Sequence, residues 1–121
     1  MIEFIRADHI HICVPPERLQ EAKEFYNAFL GLKLIERPDK IFANAGYWFN
    51  IGNIQLHIGV EPAIARSIRH TAMEVADVAA ARELLEKNHI EIVEEPIIPG
   101  RTRFAFIDPF GNRMELLQMT D

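Results

Sequence analysis

RFAFIDPFGNRMELLQ, residues Arg103–Gln118, is the stretch whose reading decides the fold. Phe104 and Phe106 alternate in its first half and Met114 and Leu116 in its second, with Asp108-Pro109-Phe110-Gly111-Asn112 between them. Two short alternating runs around a cluster of chain breakers predict a β-hairpin. Side chains alternate across a strand, so Glu115 points away from Met114 and Leu116. With those two in a core, Glu115 faces a cleft. A carboxylate on a half-exposed strand is ordinarily a solvated one, but here the chain states the surrounding pattern twice.

From the N-terminus, Ala7 to Val14 places Ile10, Ile12 and Val14 on one face and His9, His11 and Cys13 on the other. This alternation predicts a strand with its apolar side buried. Pro15-Pro16 stops it, and Pro16 with Glu17 suits a helix start. Leu19, Ala22, Tyr26, Phe29 and Leu30 recur at helical spacing as far as Gly31, a C-terminal stop. Strands are expected at Leu32–Glu36, Phe42–Asn50 and Ile54–Val60, the last two around Gly52-Asn53. The second half repeats this order. Arg69–Val75 reads as a strand, and Asp77 caps a helix Val78–Lys87 with Val78, Ala81, Leu84 and Leu85 inward. Ile90–Glu94 is a further strand, and the opening hairpin supplies the last two.

Offsets make the repeat explicit. His9 to His70 and Val14 to Val75 both span 61 residues, Gly52-Asn53 to Gly111-Asn112 spans 59, and Gln55 to Glu115 spans 60. Chance seldom preserves element order and turn chemistry together. The expectation is one α+β domain over residues 1–121, built from two βαβββ modules at about 5–60 and about 68–120.

Composition narrows the class. With 49% hydrophobic and 26% charged residues, the 121-residue chain has the profile of an ordinary globular protein. A net charge of −5 with scattered Lys and Arg argues against a nucleic-acid partner. The single cysteine, Cys13, excludes an internal disulfide and fits a reducing compartment. No apolar run is long enough to span a membrane, and the opening MIEFIRAD is no secretory signal. The expected location is the cytoplasm.

Superposing the modules makes His9 equivalent to His70 and Gln55 equivalent to Glu115. Two imidazoles with one carboxylate suit Fe(II), Mn(II), Ni(II) or Zn(II) with positions left open, and an amide oxygen is a weak, neutral fourth ligand. A lone histidine beside isoleucine is more often a surface residue than a ligand. Four such residues at equivalent positions of a repeat point to a metal. His11 and His57 lie two residues from His9 and Gln55, on the same face, as expected of second-layer partners or proton carriers. Polar residues lining a wet cleft would occupy the same places. Arg101 and Arg103 are placed either to grip an anionic substrate or in a solvated loop.

These stretches resemble the vicinal oxygen chelate superfamily, which includes glyoxalase I, fosfomycin-resistance proteins, extradiol dioxygenases, methylmalonyl-CoA epimerase and bleomycin-resistance proteins. Asp8-His9-Ile10, Glu24–Leu32, Arg69–Val75 and Phe106–Leu116 carry the resemblance, which extends over nearly the whole chain. It implies paired βαβββ modules in an open, incompletely closed barrel, with a divalent metal (Zn, Ni, Mn, Fe or Co) held at His9, His70 and Glu115. It also implies a homodimer in which a second copy covers strand edges.

Within the family the signals diverge. Gln55 stands where bacterial glyoxalase I has Glu, and resembles methylmalonyl-CoA epimerase there, although the chain is short for that enzyme. His11 and Ala105 replace a Thr and a Tyr of the fosfomycin thiol transferases, which argues against that activity. Extradiol dioxygenases usually have four modules and a Tyr at that same place. The leading expectation is a metal-dependent lyase or isomerase of glyoxalase type, acting on a small substrate that chelates the metal through vicinal oxygens. Glu115 would be its base, with His11 or His57 as relay. The alternatives are a small-molecule or antibiotic sequestering protein of the bleomycin-resistance type, and a dioxygenase-like or thiol transferase activity.

Overall fold

Alternation at the start of the chain produces β1, His9–Val14, and its apolar residues Ile12 and Val14 are buried. After Pro15 a single 3-10 turn, Pro16–Arg18, leads into α1, Leu19–Glu24. The helix then widens into a π turn, Phe25–Phe29, in which Leu30 N–H donates to the Phe25 carbonyl. One extra residue per turn shifts the inward face. Ala22, Phe25 and Tyr26, at ordinary helical spacing, are buried, while Phe29 and Leu30 beyond them, like Leu19, are only half-buried. Gly31, with φ of 86°, ends the helix in the left-handed conformation that glycine adopts without steric cost.

The computed structural model describes residues 1–120, and the chain divides into two compact units, Met1–Ala63 and the residues from Ile64 onward. The first unit continues with β2, Lys33–Ile35, β3, Tyr47–Ile51, and β4, Ile54–Val60. Its sheet order is β1-β4-β3-β2, with β1 and β4 parallel and the other pairs antiparallel. The strand expected from Phe42 starts only at Tyr47; Asp39–Ile41 is a 3-10 turn and the chain then loops. Arg37 explains the loop, because its guanidinium donates to the Asn44 carbonyl and side chain and pairs with Asp39. Those bonds satisfy the loop's polar groups in place of a ladder.

The second unit repeats the order: β5, His70–Glu74; α2, Val78–Lys87; β6, Glu91–Val93; β7, Arg101–Ile107; and β8, Arg113–Met119. Its sheet order, β5-β8-β7-β6, matches that of the first. The fold is α+β, two βαβββ modules with an open four-stranded sheet in each. Asp77 caps α2 by accepting from Ala80 N–H, and Gln118 of β8 accepts from Val78 N–H. Val78 and Leu85 are buried, but Leu84 is 42% exposed, a correction to the inward face expected for it. Seven residues separate Val78 from Leu85, two full turns, which leaves Leu84 on the flank.

Each helix packs on one face of its sheet. In the first unit the Tyr26 ring lies 6.4 Å from Phe49, whose register partners are Leu34 and Leu56. In the second, Arg82 of α2 lies over Phe104, whose partner is Leu116. His9 and Gln55 of the first unit, and His70 and Glu115 of the second, therefore occupy the opposite, helix-free faces.

The two registers differ. His9 pairs directly with Gln55, whereas Glu115 pairs with Ala72, and His70 pairs with Arg113. Relative to the first module, β5 has slipped two residues along β8. An even slip keeps every side chain on its face, so His70 meets Glu115 on the diagonal.

Candidate functional site: two imidazole–oxygen pairs

Each unit brings together one histidine and one oxygen donor from adjacent parallel strands. In the second unit His70 Nε2 lies 3.6 Å from Glu115 Oε1. Two bonds of about 2.1 Å from one ion at a tetrahedral angle put their donor atoms about 3.4 Å apart, so this spacing is close to that of ligands sharing a metal. His70 Nδ1 lies 3.0 Å from the Ile68 carbonyl. A carbonyl accepts only from N–H, so Nδ1 carries a proton, and it is Nε2 that faces Glu115. Glu115 itself is 5% exposed. Its charge is matched by Arg103, whose Nη1 donates to Oε1 at 3.0 Å.

In the first unit His9 and Gln55 are cross-strand partners, and the Nδ1 side of His9 repeats the arrangement. Its Nδ1 is 2.9 Å from Asp8 Oδ2, and Asp8 is itself held by Arg6 at 2.8 Å. The imidazole and Arg6 hold the Asp8 carboxyl below its usual range, His9 being the larger influence. A metal-binding histidine commonly has its second nitrogen on a carboxylate or backbone carbonyl, and both histidines satisfy that condition. The donor types, two imidazoles, one carboxylate and one amide, fit a borderline divalent ion. Among the described residues, no group of three or more His, Cys, Asp or Glu that could hold a metal ion stands together. Each unit contributes a pair.

His57 and its neighbours form the surroundings of the first pair, His9 and Gln55. Burial, then the nearby His9 and His11, lower the His57 pKa to about 4, so it is neutral near pH 7. Its Nε2 donates to Gln55 Oε1 at 2.8 Å and orients the amide. The ring is sandwiched, 4.0 Å from His9 and 4.1 Å from Trp48, the latter nearly parallel at 2°. His11 remains exposed, and its ring lies over Gly59, where a Cβ would meet His11 Nε2 at 2.7 Å. Cys13 Sγ is 3.8 Å from His11 Nδ1, but burial and then Glu61 push the thiol pKa up, so no reactive thiolate forms there.

Several contributors were not singled out in the sequence. A cleft of about 590 Å³ in the first unit is bounded by His9, His11, Trp48, Phe42, Arg37 and Asn44 among others. Trp48 was detectable in principle, since it alternates with core residue Phe49 and so shares the face of His57. Arg37 and Asn44 left no periodic trace because they act from a loop. In the second unit Glu95 accepts from Arg113 at 2.6 Å and lies 3.8 Å from Arg103. Arg103 therefore has carboxylate partners, and its position is a buried ionic network and not a solvated loop.

Comparison with known proteins follows the same architecture. Residues 6–116 match the model of the Glyoxalase/Bleomycin resistance protein/Dioxygenase superfamily. A glyoxalase family protein from Bacillus anthracis is similar at 33% identity and a TM-score of 0.86, over 99% of this chain and 100% of that one. A glyoxalase family protein from Enterococcus faecalis is similar at 24% identity and a TM-score of 0.70, over 94% and 98% of the two chains. The fosfomycin resistance protein FosX from Listeria monocytogenes shares the fold at 20% identity and a TM-score of 0.78, over 99% and 95%, in a mutant crystallised with Mn(II) and a dihydroxypropylphosphonic acid.

Proposed function

The chain belongs to the Glyoxalase/Bleomycin resistance protein/Dioxygenase superfamily, and from that premise we propose that it is a metal-dependent enzyme of glyoxalase type. Its ligands are His9, His70 and Glu115, with Gln55 as a weak fourth. The observation that carries this reading is the orientation of the two histidines, each with Nδ1 on an oxygen acceptor. The 3.6 Å spacing of His70 and Glu115 adds to it. A divalent ion there supplies Lewis-acid polarisation of two neighbouring oxygens on a small substrate.

The protein's own groups supply the rest. Glu115, buried and ion-paired, takes a proton from carbon next to the polarised carbonyl. The proton returns to the neighbouring carbon and the hydroxyl proton passes to the former carbonyl oxygen, with His11, exposed on the same face as His9, as proton relay, while His57 holds the Gln55 amide in place. Cys13, with its raised thiol pKa, stands outside this chemistry, and a single cysteine in no disulfide suits the cytoplasm. Elemental analysis of protein purified without chelator should find one divalent metal per His9–Glu115 set. Turnover of the hemithioacetal of methylglyoxal should then stop on chelation. Metal-free protein that binds ligands but turns nothing over would instead favour a sequestering protein. The aromatic cleft around Trp48 and Phe42 is the observation on that side.

The ligand pairs come from two modules, and we propose that the modules meet across a homodimer. β1 and β2 end the order of the first sheet, and β5 and β6 that of the second, and a second copy would cover such edges. Refolding a mixture of His9→Ala and Glu115→Ala proteins tests it. Shared sites would let a mixed dimer join one intact first module to one intact second module and regain metal binding. Mixed dimers confirmed by mass spectrometry, with no recovery of binding, would place each site within a single chain.

A further inference from the structure

We propose that Arg103 is the positioning residue for Glu115, setting the distance between the carboxylate and His70 before a metal arrives; the inference rests on the metal-site reading above. Both side chains are largely buried, 13% exposed for Arg103 and 6% for Glu115. The guanidinium is a planar fork used on both arms. Nη1 donates to Glu115 Oε1 at 3.0 Å, and Nη2 donates to the Pro96 carbonyl at 2.8 Å. The oxygen that Arg103 holds is the same Oε1 that lies 3.6 Å from His70 Nε2.

Arg103 is fixed in turn. Glu95 lies 3.8 Å from its Nη1 and accepts from Arg113 at 2.6 Å, so a chain of alternating charges runs from Arg113 to Glu115. Arg103 Nε is buried with no hydrogen-bond partner among the described residues. Leaving such a donor unmet is unfavourable; the fork is aimed at Glu115 and Pro96 at that expense. Lysine, a point charge on a flexible stem, cannot hold both acceptors in one plane. Arg103 touches no reacting atom in this reading and acts only through Glu115.

The test compares wild type, Arg103→Gln, Arg103→Lys, Glu115→Gln and the Arg103→Gln/Glu115→Gln double variant by Mn(II) titration of the full chain. Arg103→Gln should bind Mn(II) about 10- to 100-fold more weakly, the range found when an outer partner of a ligand is removed. Arg103→Lys should recover only part of the loss. The double variant should bind no more weakly than Glu115→Gln alone, because Arg103 has nothing left to position. Additive losses would overturn the inference. So would a metal-free crystal structure of Arg103→Gln, or of Arg103→Lys if the glutamine variant fails to fold, in which the carboxylate still sits at its present distance from His70. Wild type that takes up no Mn(II) would sink the metal-site reading and this inference together. Wild type and Arg103→Gln binding Mn(II) equally well would sink this inference alone.

Discussion

Glu115→Ala should lose on the order of 100-fold or more in divalent-metal affinity, and His70→Ala a comparable amount, since each deletes a first-layer ligand. Gln55→Ala should lose about tenfold at most. The ranking follows from charge: Glu115 is the one anionic member of the proposed set, while Gln55 offers a neutral amide oxygen. Gln55 Oε1 also accepts from His57, so part of its capacity is already committed. Glu115 is held in the opposite way, its charge matched by Arg103 and its Oε1 facing His70. Calorimetric titration with Mn(II) or Zn(II) gives the three affinities. Equal losses for Gln55→Ala and Glu115→Ala would overturn the ranking, and wild type that binds neither ion would remove the site.

Phe49→Ala should destabilise the protein by about 3–5 kcal/mol, the range for deleting a fully buried aromatic side chain. Phe49 has no exposed surface, sits in β3 with strands on both sides, and faces Tyr26 of the π turn. The cavity would open between sheet and helix with rigid walls around it. Against a total stability of roughly 5–15 kcal/mol, such a loss is large. Leu84→Ala, at a flank position 42% exposed, should cost no more than about 1 kcal/mol. Urea unfolding of both variants checks the pair. Similar midpoints for Phe49→Ala and Leu84→Ala would mean that the sheet–helix core is packed differently.

Much of the architecture was legible because the local signals agreed with one another. Ile54–Val60 and Val78–Lys87 have the bounds that alternation, helical spacing and the Asp77 cap predict. The faces of His9, Gln55, His70 and Glu115 followed from alternation alone. What escaped depends on geometry between segments. Phe42 looks like the start of a strand, yet Arg37, a few residues upstream, ties that segment into a loop through Asn44 and Asp39. Phe25 and Tyr26 are buried as expected, but Phe29, expected beside them, is only half-buried, because it lies in a π turn and helical spacing assumes that no such widening occurs. The stacking of Trp48, His57 and His9 depends on register across three strands. The grip of Arg103 on Glu115 likewise depends on strand pairing, and the sequence shows only an arginine in a strand.

The two-residue slip between the modules bears on how such a chain can change length. The β3–β4 turn has two residues, Gly52 and Asn53, while the β7–β8 connection has five, 108–112. Turns can therefore absorb odd insertions, because the strands on either side re-pair as units. A residue gained or lost inside β8 is another matter. It would rotate everything beyond it, turning Glu115 towards α2 and Leu116 towards His70. Within each module the first strand can slip along its parallel partner only by even steps if its histidine is to stay on the face of the oxygen donor, whereas the loops are free to take any length. Parity, more than residue identity, is what keeps one imidazole and one oxygen donor on the same face in both halves.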